Sequence, residues 1–145
     1  MRKQDLVQIV ADTNEQLEMP DHPLHDTPII FGDAGFVVST SEGHMVLATS
    51  NHLEDLLEDP FVPLSADLFG HLMFITYGAV VVANEDGDID EDEEPVPTRL
   101  IIGISREGAV VSAMRRLDNR ESIIDEDGFS VQGELREVLL GLATR

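Results

Sequence analysis

Two stretches of the sequence carry side chains that could hold a cation. Asp21-His22-Pro23-Leu24-His25-Asp26 sets two imidazoles three residues apart with a carboxylate on each side. Imidazole nitrogen and carboxylate oxygen are donors that zinc and nickel accept, so His22 and His25 make a metal half-site. His44, His52 and His71 are the histidines that folding would have to bring to it. The second stretch is Asn84-Glu85-Asp86-Gly87-Asp88-Ile89-Asp90-Glu91-Asp92-Glu93-Glu94. Calcium takes about six to eight hard oxygens, and aspartates alternating along a turning loop can converge on one ion. Asp86, Asp88, Asp90 and Glu93 are its candidate ligands, and calcium or another divalent cation is the only cofactor the sequence suggests.

Over about nine residues this run resembles the calcium loop of EF-hand proteins. The resemblance aligns Asn84, Asp86, Gly87, Asp88, Ile89 and Glu93 with the third, fifth, sixth, seventh, eighth and twelfth loop positions. Val82 then stands where the first carboxylate ligand belongs, a β-rich run enters in place of a helix, and Pro95 and Pro97 forbid the exiting helix. A run of like charges repels itself and stays hydrated. A solvated acidic loop over residues 85–97 is therefore the first expectation, with metal binding second and of millimolar affinity.

The catalytic inventory is thin. There is no Cys, one Tyr and one Lys, and no Ser sits in the Gly-x-Ser-x-Gly setting of a nucleophile elbow. Neither glycine-rich phosphate-binding pattern occurs. Carboxylates are so numerous that a chance pair at acid–base spacing would signify nothing. No catalytic residue is assigned, and a non-enzymatic protein is expected.

Charge narrows the partners. The 145 residues hold 29 Asp and Glu against nine Lys and Arg, a formal net charge of -20, and Lys3 is the single lysine. No basic stripe exists to displace counterions from a nucleic acid, and the same field opposes an anionic membrane. Three readings of the acidity remain: a solvated surface, cation binding, or a face for a basic partner. The leading expectation is a binding or regulatory module that presents an acidic surface to a protein partner or to a second copy of itself. The alternatives are a mimic of DNA that occupies a nucleic-acid-binding protein, and a weak divalent-metal binder. Arg106, Arg115 and Arg116 are expected to pair with carboxylates, within the chain or between subunits. Without cysteines or an apolar leader, the chain is expected in the cytoplasm.

These residues need elements to hold them. Leu6, Val10 and Leu17 recur at helical spacing, which predicts an N-terminal helix from Asp5 to about Glu18, stopped by Pro20, Pro23 and Pro28. Short β-rich runs at 29–31, 36–40 and 45–49 predict a meander with glycine turns. Asn51 is expected to cap a short helix that Pro60 ends. Ser65 is expected to cap a second, core helix reaching Tyr77, with Leu68, Leu72 and Ile75 on its stripe, His71 within it and Gly78 as its stop. Runs at 79–83, 100–104 and 109–114 read as strands, the last two joined as a hairpin across Ser105-Arg106-Glu107-Gly108. Ser122-Ile123-Ile124 and Phe129-Ser130-Val131 suggest a small extra hairpin. A C-terminal helix is expected from about Gln132 to Ala143. The class is α+β in one domain spanning 1–145. Its mainly antiparallel sheet has about five to six strands, with N-terminal, central and C-terminal helices packed on one face.

Overall fold

A computed structural model describes residues 2–18, 34–41, 43–50, 53–80, 96–118, 121–126 and 134–144. The apolar spacing of the N-terminal segment forms α1 (Lys3–Gln16), which buries Leu6 and Val10, with Leu17 buried just beyond it. Asp5 accepts a hydrogen bond from the Arg2 amide at 3.3 Å, satisfying one of the donors exposed at the helix start. Strand β1 (Ala34–Thr40) and strand β2 (Gly43–Ser50) form an antiparallel hairpin. At its turn Gly43 takes a φ of 130°, open to glycine and costly for other residues.

Two helices follow, α2 (Leu53–Leu57) and α3 (Phe61–Phe69). Pro60 and Pro63 fall just before and within the first turn of α3, where the missing amides have no helical acceptor to lose. The Asp59 carboxylate accepts from the Phe61 amide at 2.9 Å, so the helix starts four residues ahead of Ser65. It stops at Gly70, whose φ of 77° is left-handed. Residues 71–77, expected as helix, are instead the first part of β3 (His71–Val80). The physical reason is burial on both sides. Leu72, Met73, Phe74 and Ile75 are all buried, but they alternate: Leu72 and Phe74 join one core, Met73 and Ile75 the other. A strand covered on both faces reads as an unbroken apolar run, which is easily mistaken for a helical stripe.

Strands β4 (Val96–Ser105), β5 (Val110–Arg116) and β6 (Ser122–Asp125) complete the sheet, and α4 (Glu134–Thr144) closes the described chain. The sheet has six strands in the order β2-β1-β3-β4-β5-β6, and every neighbouring pair is antiparallel. The α+β class, the 100–104/109–114 hairpin and the terminal helices are as the sequence predicts. The helices, however, cover both faces. On one, α1 packs over Val37, Met73, Ile75, Ile101, Val111 and Ala113. On the other, Leu56 of α2, Val62 and Ala66 of α3, and Leu139 and Leu142 of α4 cover Phe36, Val38, Leu72, Phe74, Ile102 and Ile104. Phe36 and Phe74 meet there with ring centroids 5.1 Å apart. The expected strand at 29–31, the second arm at 129–131, the Asn51 cap and residues 81–83 of the predicted β-run lie outside the described residues.

Candidate functional site

The candidate metal ligands His22, His25, Asp86, Asp88, Asp90 and Glu93 lie outside the described residues, as does His52. Among the described residues, no three His, Asp or Glu side chains come together as a metal site. The other two histidines have separate partners. His71 opens β3, and its buried ring accepts from the Ser39 amide through Nε2 at 3.0 Å, while Nδ1 lies 3.2 Å from the Phe69 carbonyl as a donor to it. Both contacts suit the neutral ring, and burial lowers its pKa from the ordinary 6.5, a shift the Phe69 hydrogen bond opposes. His71 thus ties β1 to the α3–β3 junction, in a strand rather than the predicted helix. His44 on β2 places Nε2 2.9 Å from Thr13 Oγ1, which itself donates to the Ile9 carbonyl at 2.8 Å.

Among the described residues, the densest charged arrangement lies under the C-terminal turn of α1. Strand register sets Tyr77, Arg99, Arg115 and Ser122 in one row across β3, β4, β5 and β6, two residues along from the apolar row Ile75, Ile101, Ala113 and Ile124. Period-two alternation therefore turns both rows toward α1. Arg99 is only 3% exposed, and its Nη1 pairs with Glu18 Oε1 at 2.9 Å. Its Nη2 donates to both the Asn14 carbonyl, at 2.9 Å, and Asn14 Oδ1, at 3.0 Å. Arg115 reaches Glu15 Oε1 at 2.7 Å and lies 3.5 Å from the same Glu18 oxygen. Asn14 Nδ2 completes the set by donating to Ser122 Oγ at 2.7 Å.

Burial lowers the pKa of Arg99. Tyr77 and Glu18 act in the opposite direction, and the Arg115 charge adds to the lowering. The guanidinium stays cationic, so its charge must be matched in place. Chemically this is a clamp: two arginines offer the helix C-terminus the positive charge that α1 lacks in its own last turn. The carboxylates of Glu15 and Glu18 and the carbonyls of Asn14 occupy the guanidinium faces that a substrate anion would need.

Two shallow depressions share Glu126. One, of about 310 Å³, is lined by Met114, Ile123, Ile124, Asp125 and Glu126, and the other, of about 320 Å³, by Lys3, Gln4, Val7 and Glu126. Neither lining includes a hydroxyl or an imidazole, so neither holds a Ser–His type of nucleophile and base.

The feature that sequence reasoning missed lies on α3. Val62 and Ala66 are buried, yet Phe61, Leu64 and Leu68 are 66%, 64% and 77% exposed. At i, i+3 and i+7 these three form one stripe on the solvent side of the helix. In the segment leading into α3, Glu54, Asp55 and Glu58 are exposed and Asp59 is half-buried. The signal was available: Pro60 and Pro63 are compatible with a helix starting at Phe61, and from there Leu64 and Leu68 fall opposite the core face. Comparison of the chain with protein-family models, curated proteins and solved structures finds no match.

Proposed function

We propose that this chain is a non-enzymatic binding module whose anionic exterior receives a basic protein partner. The observation that carries this reading is where the positive charge goes. Each of the five arginines whose side chains are described is engaged by a carboxylate of the same chain: Arg2 by Asp5, Arg99 by Glu18, Arg106 by Asp67, Arg115 by Glu15 and Arg116 by Asp118. Arg99 and Arg115 are moreover buried. With these five cations turned inward or neutralised locally, a chain of net charge -20 presents a field that steers lysine- and arginine-rich surfaces toward it. The duplex-mimic alternative fits less well, because the apolar stripe amid the acids of α2 and α3 has no counterpart in a phosphate backbone.

The test is reconstitution. The intact chain is used to capture partners at low salt, and each candidate is purified and titrated against it. A one-to-one complex with a protein of basic surface, weakening steeply as sodium chloride rises, supports the reading. Candidates that form no complex once purified, or that bind with no salt dependence, overturn it.

A further inference from the structure

Resting on the reading of the chain as a module for a basic partner, we infer that α2 and α3 form its docking face and that the occupant is a cationic amphipathic helix of the partner protein. Single exposed apolar side chains need no explanation, but a stripe of three large ones on one helix is the signature of a contact surface. Phe61, Leu64 and Leu68 make such a stripe, on a helix whose opposite side already serves the core through Val62 and Ala66. No described segment covers it. Seven residues of helical rise separate Phe61 from Leu68, about 10 Å, or two turns of a partner helix laid along it. A helix offers matching anchors at i, i+3, i+4 and i+7, so the shape of the stripe selects that kind of ligand.

Charge decides which helix. Residues 53–70 contain no Lys or Arg, while Glu54, Asp55 and Glu58 stand exposed in the residues that lead into the stripe's helix. On α3 itself the carboxylate of Asp67 is already held by Arg106. The surface therefore combines an apolar centre with an anionic margin, and its complement is a helix with leucine-like side chains on one face and lysine or arginine along the flanks. A second copy of this chain is the wrong occupant, because it would set acidic margins against each other.

The probes are two synthetic peptides of identical Leu/Lys composition, one with leucine at helical spacing and one scrambled. They are titrated by fluorescence anisotropy against the intact chain and against two variants. Leu64→Ser/Leu68→Ser removes apolar contact without changing charge, and E54Q/D55N/E58Q removes charge without touching the stripe. All these positions are exposed, and circular dichroism with a thermal melt confirms that each variant is folded. The expected result is that the amphipathic peptide binds about tenfold or more tightly than its scramble. The serine variant should lose that preference while binding the scramble as before. The amide variant should weaken both peptides and flatten their salt dependence. Equal binding of both peptides, or full affinity in the serine variant, overturns the docking face and leaves the charge-based reading standing. Failure of the intact chain to bind either peptide at low salt overturns both. A concentration-dependent dimer abolished by the serine substitutions would show that the occupant is a second copy, and would overturn the inference.

Discussion

Arg99 is a point at which a single change reaches the fold. Its guanidinium is withdrawn from water, and what holds it there is one carboxylate and two oxygens of Asn14. Breaking one partner of a buried pair strands the other, and that loss exceeds the modest net worth of the pair itself. Arg99→Met is expected to destabilise the chain by about 3 kcal/mol in urea unfolding, the lower end of the usual range because Glu18 retains some water. In the double variant Arg99→Met/Glu18→Gln the loss should fall short of the sum of the two single changes, since the stranded carboxylate is gone. Full additivity would show that the two residues stabilise the protein independently. His71 gives a prediction of a different kind. Its folded pKa is lowered from 6.5, chiefly by burial, so the unfolded chain takes up the proton first. The stability it contributes is present above about pH 6.5 and is lost as the pH falls from there through the lowered folded value. His71→Gln keeps an acceptor for the Ser39 amide but does not titrate. Its stability should fall less steeply between about pH 7 and pH 5, by up to about 1.4 kcal/mol per pH unit, and identical slopes would remove His71 from the acid response.

Among the elements, the seat of α1 on the sheet depends on an absent side chain. A Cβ on Gly103 would collide with Val10 and press on Leu6, both on α1. Val10 is β-branched and held to one rotamer in a helix, so the helix itself must move. Gly103→Ala is expected to cost about 1–3 kcal/mol in denaturant unfolding, and adding Val10→Ala should recover part of that cost although Val10→Ala alone destabilises. Two purely additive losses would mean that the helix already has room. The same packing explains what the sequence could reveal. Helices α1 and α4 were legible because each buries one face and so leaves a clean period, and the β4–β5 hairpin was legible from its turn, Ser105-Arg106-Glu107-Gly108, although both of its strands feed both cores. Strand β3 was not, because Leu72 to Ile75 feed two cores at once and the alternation disappears. Placing all helices on one face followed from the same error, since a helix at 65–77 would have left the middle of the sheet without its central strand. The arginine pairs were foreseeable from composition, but their common row was not, as it depends on the register of β4 against β5. The α3 stripe was legible only if Pro60 and Pro63 are read as helix-start residues rather than as breakers, and the Asp59 hydrogen bond to the Phe61 amide shows that they are.

At the scale of the whole molecule, two electrostatic effects oppose each other, and ionic strength separates them. The five described arginine pairs are attractive, the buried Arg99 pair most of all. The excess that gives a net charge of -20 is repulsive, because folding crowds carboxylates that the unfolded chain holds apart. Raising sodium chloride from about 0.02 M to 0.5 M shortens the Debye length from about 20 Å to about 4 Å. Screening acts fully on exposed charges beyond that distance and little on pairs in contact and out of water. The Arg99–Glu18 pair is sheltered in this way, Glu15 leaves its pair with Arg115 partly open to water, and the exposed Arg2–Asp5, Arg106–Asp67 and Arg116–Asp118 pairs are worth little at any salt. The repulsion should therefore be lost first. The expected outcome is a gain of about 1–2 kcal/mol in stability across that range, a rise of roughly 3–8 °C in Tm. The amide variant E54Q/D55N/E58Q, having less repulsion to lose, should show a smaller rise. A fall in Tm with salt would mean that the ion pairs outweigh the excess charge. Binding should move the opposite way, because the field that salt relieves within the chain is the one that draws a basic partner to it. A protein that grows more stable and a complex that grows weaker over the same salt series would therefore trace both effects to one surface.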